Sequence, residues 1–387
     1  MKIRAFVFVV IAALAASPAA AQRSVAGKWY AALGGVPVQF DFSVDADGRL
    51  TGAMSSDFTG RTPIADGAVK GDELSFTVRM AIGARTINYK GIVNGDELAL
   101  AGKDASPPPA GGADQTFTAT RTKPVDVPEI SMVPVVVDDQ TVRLEMRIYK
   151  PDRAGPLPTV IFHHGSTGDG RNPRLFTQPI LFPTLAKFFV QRGWAFVVPA
   201  RRGRAGSEGL YDEGFGPDRA LGYSCRPAQS LSGADRALRD IAAATDAILA
   251  MPFVDRDRVV IGGQSRGGIL AVAYAGQHPE RLKGVINFVG GWMGTTCSNA
   301  STINQTLFRR GARYPRDTLW LYGEGDQFYP LSHSEQNFAA FQAAGGKGTF
   351  HEFPLPGSSG HYVFMNPEIW KPVVESYLKS LGLPAGE

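Results

Sequence analysis

Arg258-Val259-Val260-Ile261-Gly262-Gly263-Gln264-Ser265-Arg266-Gly267-Gly268-Ile269-Leu270-Ala271-Val272-Ala273 sets an apolar run, a Gly-x-Ser-x-Gly turn and a second apolar run end to end. That order predicts a short buried strand, a tight turn and the start of a helix. Such a turn holds its serine in a strained conformation, and small neighbours let the two arms approach. It also sets Ser265 Oγ over a helix N-terminus, whose dipole favours a developing oxyanion. Ser265 is the candidate nucleophile. A glycine-rich turn with a capping serine is the plain alternative.

Outward from this turn, strands alternate with helices from about residue 129 to the C-terminus. Val142–Tyr149, Thr159–Phe162, Ala195–Pro199, Val259–Gly262, Gly284–Phe288, Thr318–Tyr322 and Thr349–Phe353 read as strands. Helices are expected over Phe182–Arg192, about Arg266–Gln277, near Ser334–Ala344 and over Pro367–Leu381. Ser232-Gly233-Ala234-Asp235 reads as a capping box opening another helix, with Ala234, Leu238, Ile241, Ala244 and Ile248 on one buried stripe. The alternation predicts an α/β domain over 129–387, with a mostly parallel sheet covered on both faces.

Residues 25–122 carry only β signals. Val36, Val38, Phe40, Phe42 and Val44 alternate with mostly polar positions, as do Leu74, Phe76, Val78 and Met80. Asp47-Gly48 and Asn94-Gly95 are hairpin-turn pairs. Gly71-Asp72-Glu73-Leu74 recurs as Gly95-Asp96-Glu97-Leu98, which predicts two similar hairpins in a small antiparallel barrel or sandwich. No cluster of His, Asp or Ser there suggests catalysis, and its partner is unknown. Ser106–Gly112 reads as a loop and Lys123–Pro128 as a linker.

A serine nucleophile needs a base, and the base an orienting acid. Asp326 ends the apolar run Thr318–Tyr322, with Glu324 as the competing acid. Among six His, only His361 lies after both in a Gly-flanked loop, Gly357-Ser358-Ser359-Gly360-His361. An oxyanion hole is expected from the backbone N–H groups of Ser166, in Phe162-His163-His164-Gly165-Ser166, and of Arg266. No cofactor is required. The His163-His164 pair has no Cys or carboxylate companion at ligand spacing, so no metal is expected.

These motifs, with the loop Pro199-Ala200-Arg201-Arg202-Gly203-Arg204-Ala205-Gly206-Ser207-Glu208-Gly209, resemble the α/β-hydrolase superfamily, in its dienelactone hydrolase-like and prolyl-oligopeptidase-like branch. The resemblance covers about residues 129–384. It implies a Ser265–His361–Asp326 triad hydrolysing a small-molecule ester or related acyl bond. The chain departs from simple dienelactone hydrolases in having Ser as nucleophile and an added β domain. A peptidase on the same triad is one rival reading. A catalytically inert binding protein is another.

Of the 387 residues, 44% are apolar and 20% charged, enough for sizeable cores. The formal charge is +4 without a basic run, which argues against a nucleic-acid partner. Lys2 and Arg4, the apolar stretch Ala5–Ala16 and Ala19-Ala20-Ala21 form the pattern of a cleavable signal peptide over 1–21. The expectation is a periplasmic or secreted protein with no membrane span after cleavage. Cys225 and Cys297 are its two cysteines, on loops expected at the same sheet edge. In an oxidising compartment they are expected to pair as a disulfide bracing the rim of the pocket. Arg171, Arg174, Arg201, Arg202 and Arg204 lie near this mouth, more in keeping with a solvated surface or internal salt bridges than with an anion site.

Overall fold

The computed structural model describes residues 25–33, 36–56, 60–80, 85–106, 114–125, 127–355 and 359–386. The signal-peptide segment and nearly all of the Ser106–Gly112 loop lie outside them. The chain divides into two compact units, Met1–Pro124 and Val125–Glu387.

The first unit is a closed antiparallel barrel of eight strands joined in chain order. They are β1 (Gly27–Leu33), β2 (Val36–Val44), β3 (Leu50–Ser56), β4 (Gly60–Lys70), β5 (Glu73–Met80), β6 (Arg85–Asn94), β7 (Glu97–Asp104) and β8 (Gln115–Thr120). Closure removes the free sheet edges that would otherwise invite pairing with other chains. Burial alternates residue by residue along β6 and β7, as a one-sided core demands. The repeated Gly-Asp-Glu-Leu segments do the same job twice. Gly71 turns β4 into β5 and Gly95 turns β6 into β7, both with φ 63°, and Leu74 and Leu98 then point inward.

Aromatic rings fill the barrel. Phe40 is fully buried and lies 5.6–6.2 Å, centroid to centroid, from Phe42, Phe76, Tyr89 and Phe117. Phe40→Ala removes the shared partner of four rings. It should cost about 3–5 kcal/mol, as aromatic-to-alanine core truncations do, read as an earlier denaturant midpoint for barrel unfolding.

The second unit is an eight-stranded sheet in the order β16-β15-β14-β13-β11-β12-β10-β9. Its strands are β9 (Glu129–Val137), β10 (Gln140–Tyr149), β11 (Leu157–His163), β12 (Ala195–Pro199), β13 (Val254–Gln264), β14 (Gly284–Phe288), β15 (Thr318–Gly323) and β16 (Gly348–Phe353). β9, β10 and β12 pair antiparallel, and every other neighbouring pair is parallel. β11, β12, β14 and β15 are buried at every position, the signature of a sheet covered on both faces.

The helices are α1 (Pro183–Val190), α2 (Pro227–Leu249), α3 (Arg266–Gln277), α4 (Ala300–Arg310), α5 (Leu331–Ala343) and α6 (Pro367–Ser380). α3 is buried from Arg266 to Gly276, which explains an apolar run with no polar face.

Three elements differ from the sequence expectation. Ser232-Gly233-Ala234-Asp235 does not open a helix, because α2 starts five residues earlier with Pro227 in its first turn. Proline suits that position, since its missing N–H would be unpaired there anyway. Gly233 has another reason: a Cβ there would sit 2.0 Å from Gly214 N. The predicted stripe of α2 is nonetheless buried. α4 lies between β14 and β15, where the sequence reading placed no helix, and its Ile303–Leu307 spacing was the available signal. β9 adds a strand before the first one expected in this domain, and its largely exposed face marks it as an edge.

Candidate functional site

The turn between β13 and α3 has the strain its sequence implies. Ser265 has φ 57° and ψ −123°, outside the ordinary regions for a residue with a side chain. The glycines on either side are required by contact. A Cβ on Gly263 would lie 2.3 Å from Gly267 C, and one on Gly267 would lie 1.9 Å from His163 O. Gly165 is close as well, with its Cβ position 3.0 Å from Ser265 Cβ. The loop after β11 therefore packs directly against the serine turn. Ser265 N–H donates to Phe288 O at 3.0 Å, and Ser265 O accepts from Gly268, Ile269 and Gly291.

The loop after β15 delivers Asp326, which is 3% exposed. Its Oδ1 accepts the N–H groups of Phe328 at 2.8 Å and Tyr329 at 3.0 Å. Its Oδ2 lies 2.9 Å from His361 Nδ1. Glu324, the competing acid, is exposed and stands in the electrostatic neighbourhood of Glu352 instead.

His361 sits in a short 3₁₀ turn, Gly360–Met365, where its N–H donates to Ser359 Oγ. The rings of Phe328 and Tyr329 lie 4.7 and 5.6 Å from the imidazole. Gly360 permits the close approach, because a Cβ there would be 2.1 Å from Gly323 O. Gly357 and Ser358 lie outside the described residues.

Ser265 and His361 open on one cavity of about 430 Å³. Its walls include Ser166 and Arg266, both sequence-proposed oxyanion donors, together with Tyr223, Trp292, Phe328 and Tyr362. Tyr329 also faces it. Burial pushes its hydroxyl up to about 12, and the neighbouring Ser265 side chain works the other way. Its own O–H donates to Gly291 O at 2.8 Å. No sequence motif flagged Tyr329; its place three residues after the acid was the available hint.

His163 and His164 are buried. Burial first, and Arg201 next, push His163 down to about 3 and lower His164 as well, so both rings are neutral. Among the described residues no cluster of three or more His, Cys, Asp or Glu could hold a metal ion. No described helix is long and apolar enough to cross a membrane.

The arginines divide by burial. Arg201 pairs with Glu213 at 2.5 Å and Arg202 with Asp240 at 2.6 Å. Arg204 donates to Phe176 O and Gly165 O. These are internal contacts. Arg171 alone of the five lines the cavity, beside exposed Asp169 at 3.5 Å.

Cys225 and Cys297 form a disulfide with Cα atoms 5.5 Å apart, joining the loop before α2 to the loop before α4. Both residues line the cavity. The bridge closes a 72-residue separation, for which chain entropy gives about 4 kcal/mol at most. Reduction should therefore lower the melting temperature and loosen the cavity wall while leaving the far-UV dichroism in place. An unreduced tryptic map should show the two cysteine peptides linked, and finding only free thiols would contradict the bridge.

The prolyl oligopeptidase family matches residues 226–299, which hold α2, the serine turn and α3. No curated protein matches the sequence. Among solved structures, a prolyl endopeptidase aligns over 89% of this chain at 13% identity and a TM-score of 0.47. The aligned part spans 58% of that enzyme's length. A Klebsiella pneumoniae protein described as a dienelactone hydrolase aligns over 66% of this chain and 99% of its own, at 20% identity and a TM-score of 0.41. An esterase of Pyrococcus furiosus aligns over 65% of this chain and 90% of its own, at 14% identity and a TM-score of 0.45. The sheet order and the strained strand–serine–helix turn give residues 125–387 an α/β fold centred on Ser265, and the prolyl oligopeptidase family is what residues 226–299 of it are similar to.

Proposed function

We propose that the protein is an exported serine hydrolase that cleaves small carboxylic esters through an acyl-enzyme. The observation that carries this reading is the cavity on which strained Ser265 and Asp326-held His361 both open. Its volume of about 430 Å³ suits a small molecule.

In this reading Ser265 Oγ attacks the acyl carbon while His361 Nε2 takes its proton. The Nδ1–H of His361 donates to Asp326 Oδ2, which fixes the tautomer and favours the imidazolium. The N–H groups of Ser166 and Arg266 hold the oxyanion. Collapse expels the alcohol, which takes the proton from His361. Water then repeats the sequence on the acyl-enzyme and releases the acid. No cofactor enters any step.

The match to the prolyl oligopeptidase family favours a second reading, peptide-bond hydrolysis by the same residues. Export is supported by the N-terminal pattern and agrees with the disulfide, which persists in oxidising compartments.

Ser265→Ala should abolish turnover of nitrophenyl esters while leaving the melting temperature near wild type. Full retained turnover would sink the assignment and favour an inert pocket with activity elsewhere. Turnover of an aminoacyl nitroanilide exceeding that of the esters would select the peptidase reading. Asp326→Asn should lower kcat by about 10⁴, the scale seen when a triad acid becomes an amide. Glu324→Gln should cost far less; the reverse ranking in steady-state assays would transfer the acid's role to Glu324.

A further inference from the structure

Resting on the serine-hydrolase reading, we infer that Glu213 is a positioning residue that holds both sides of the oxyanion hole in register. The feature that points to it is a buried polar network converging on one carboxylate beneath the site. Glu213 is 3% exposed and lies outside the cavity wall.

One arm reaches the loop that carries Ser166. Arg201 Nε donates to Glu213 Oε1 at 2.5 Å. The same guanidinium donates through Nη1 to His164 O at 2.9 Å and through Nη2 to Gly165 O at 3.3 Å. The carbonyls immediately before Ser166 are thus fixed by a group that Glu213 fixes.

A second arm grips the same loop from its other end. Tyr211 Oη donates to Glu213 Oε2 at 3.2 Å. The Tyr211 and Tyr223 hydroxyls lie 2.7 Å apart, and Tyr223 Oη lies 2.9 Å from Thr167 Oγ1. Thr167 N–H also donates to Tyr223 Oη at 3.2 Å. Each hydroxyl has one proton, so the directions follow. Tyr211 spends its proton on the carboxylate, Tyr223 donates to Tyr211, and Thr167 donates to Tyr223. The chain runs one way, toward Glu213, and each bond polarises the next. Ser166 lies between the two grips.

The third arm reaches the other donor. Arg266 Nη1 donates to Glu213 O at 2.9 Å and lies 3.5 Å from Oε2. Its guanidinium is stacked on Tyr223 at 3.7 Å and Trp292 at 4.1 Å, and Nε donates to Trp292 O. The side chain is therefore wholly occupied in anchoring Arg266, a cavity-lining residue and the second donor of the proposed oxyanion hole.

Burial alone would push the Glu213 carboxyl up, but Arg201 and Arg266 outweigh it and hold the group ionised. Burial, then Glu213 itself, pushes the Tyr211 hydroxyl well above its ordinary value, which keeps it a donor. An ionised acceptor and protonated donors are what the one-way chain requires.

A misplaced oxyanion donor weakens transition-state binding more than substrate binding. Glu213→Gln should thus lower kcat by about 10²–10³, the scale of losing one such donor, with KM nearly unchanged. Tyr211→Phe keeps the buried ring, cuts only the second arm and should lower kcat by about 10-fold. Both variants should slow labelling by a fluorophosphonate and raise the inhibition constant of a boronic acid, which mimics the tetrahedral state. Melting temperature and dichroism monitor folding. If Glu213→Gln does not fold, Tyr211→Phe decides alone. Wild-type kcat, labelling rate and boronate affinity in the folded variants would overturn the inference. A parallel rise in KM with unchanged kcat would also overturn it, by making the network a substrate-binding element. Ser265→Ala runs beside them: labelling lost there but unaffected in the network variants rejects the role of Glu213 and leaves the hydrolase reading standing. Labelling retained in Ser265→Ala removes that reading and this inference together.

Discussion

The backbone of Ser265, held at φ 57°, is the constraint on which the site depends. A non-glycine residue in such a conformation costs roughly 1–3 kcal/mol and persists only where its surroundings over-determine it. Here they do. Gly263 and Gly267 bring β13 and α3 closer than side chains allow, and His163 O occupies the space a Cβ on Gly267 would need. The carbonyl of Ser265 starts α3 and also receives Gly291 N–H from the loop after β14. One residue is thereby pinned by two strand ends and a helix.

That pinning explains why the other groups converge. β11, β13, β14 and β15 are parallel neighbours, so their C-terminal ends emerge on the same edge. The loops from those ends carry Ser166, Ser265, Trp292 and Asp326, and the segment after β16 brings His361. The Cys225–Cys297 bridge ties the loop before α2 to the loop after β14, and both cysteines line the same cavity. The buried side chains of Arg201, Arg202 and Arg204 act inward on backbone carbonyls and carboxylates, while Tyr223, Trp292, Phe328, Tyr329 and Tyr362 supply the aromatic part of the cavity wall.

Much of this was legible from the residues. The barrel could be read because alternation of period two and the repeated Gly-Asp-Glu-Leu turns are local features. The elbow could be read because close approach demands glycine at Gly263 and Gly267. The Asp326–His361 pair followed from chain order and sheet logic. α4 was missed because its apolar face is only a few residues wide and follows a loop of turn-like letters. The start of α2 was misread because Ser232 and Asp235 have the spacing of a capping box, whereas the helix runs through them from Pro227 and Gly233 answers to a contact with Gly214. Glu213, Tyr211 and Tyr223 gave no sequence signal at all, since a buried network between loops has no period and no fixed spacing.

The central claim, that Ser265 is the residue acylated during turnover, is tested most directly by trapping the covalent adduct. Wild-type protein would be quenched in acid during turnover of a slowly deacylated ester, then digested and mapped by mass spectrometry. The account predicts a single acyl addition on the peptide containing Ser265. Turnover with no adduct, or an adduct on any other side chain, would contradict it.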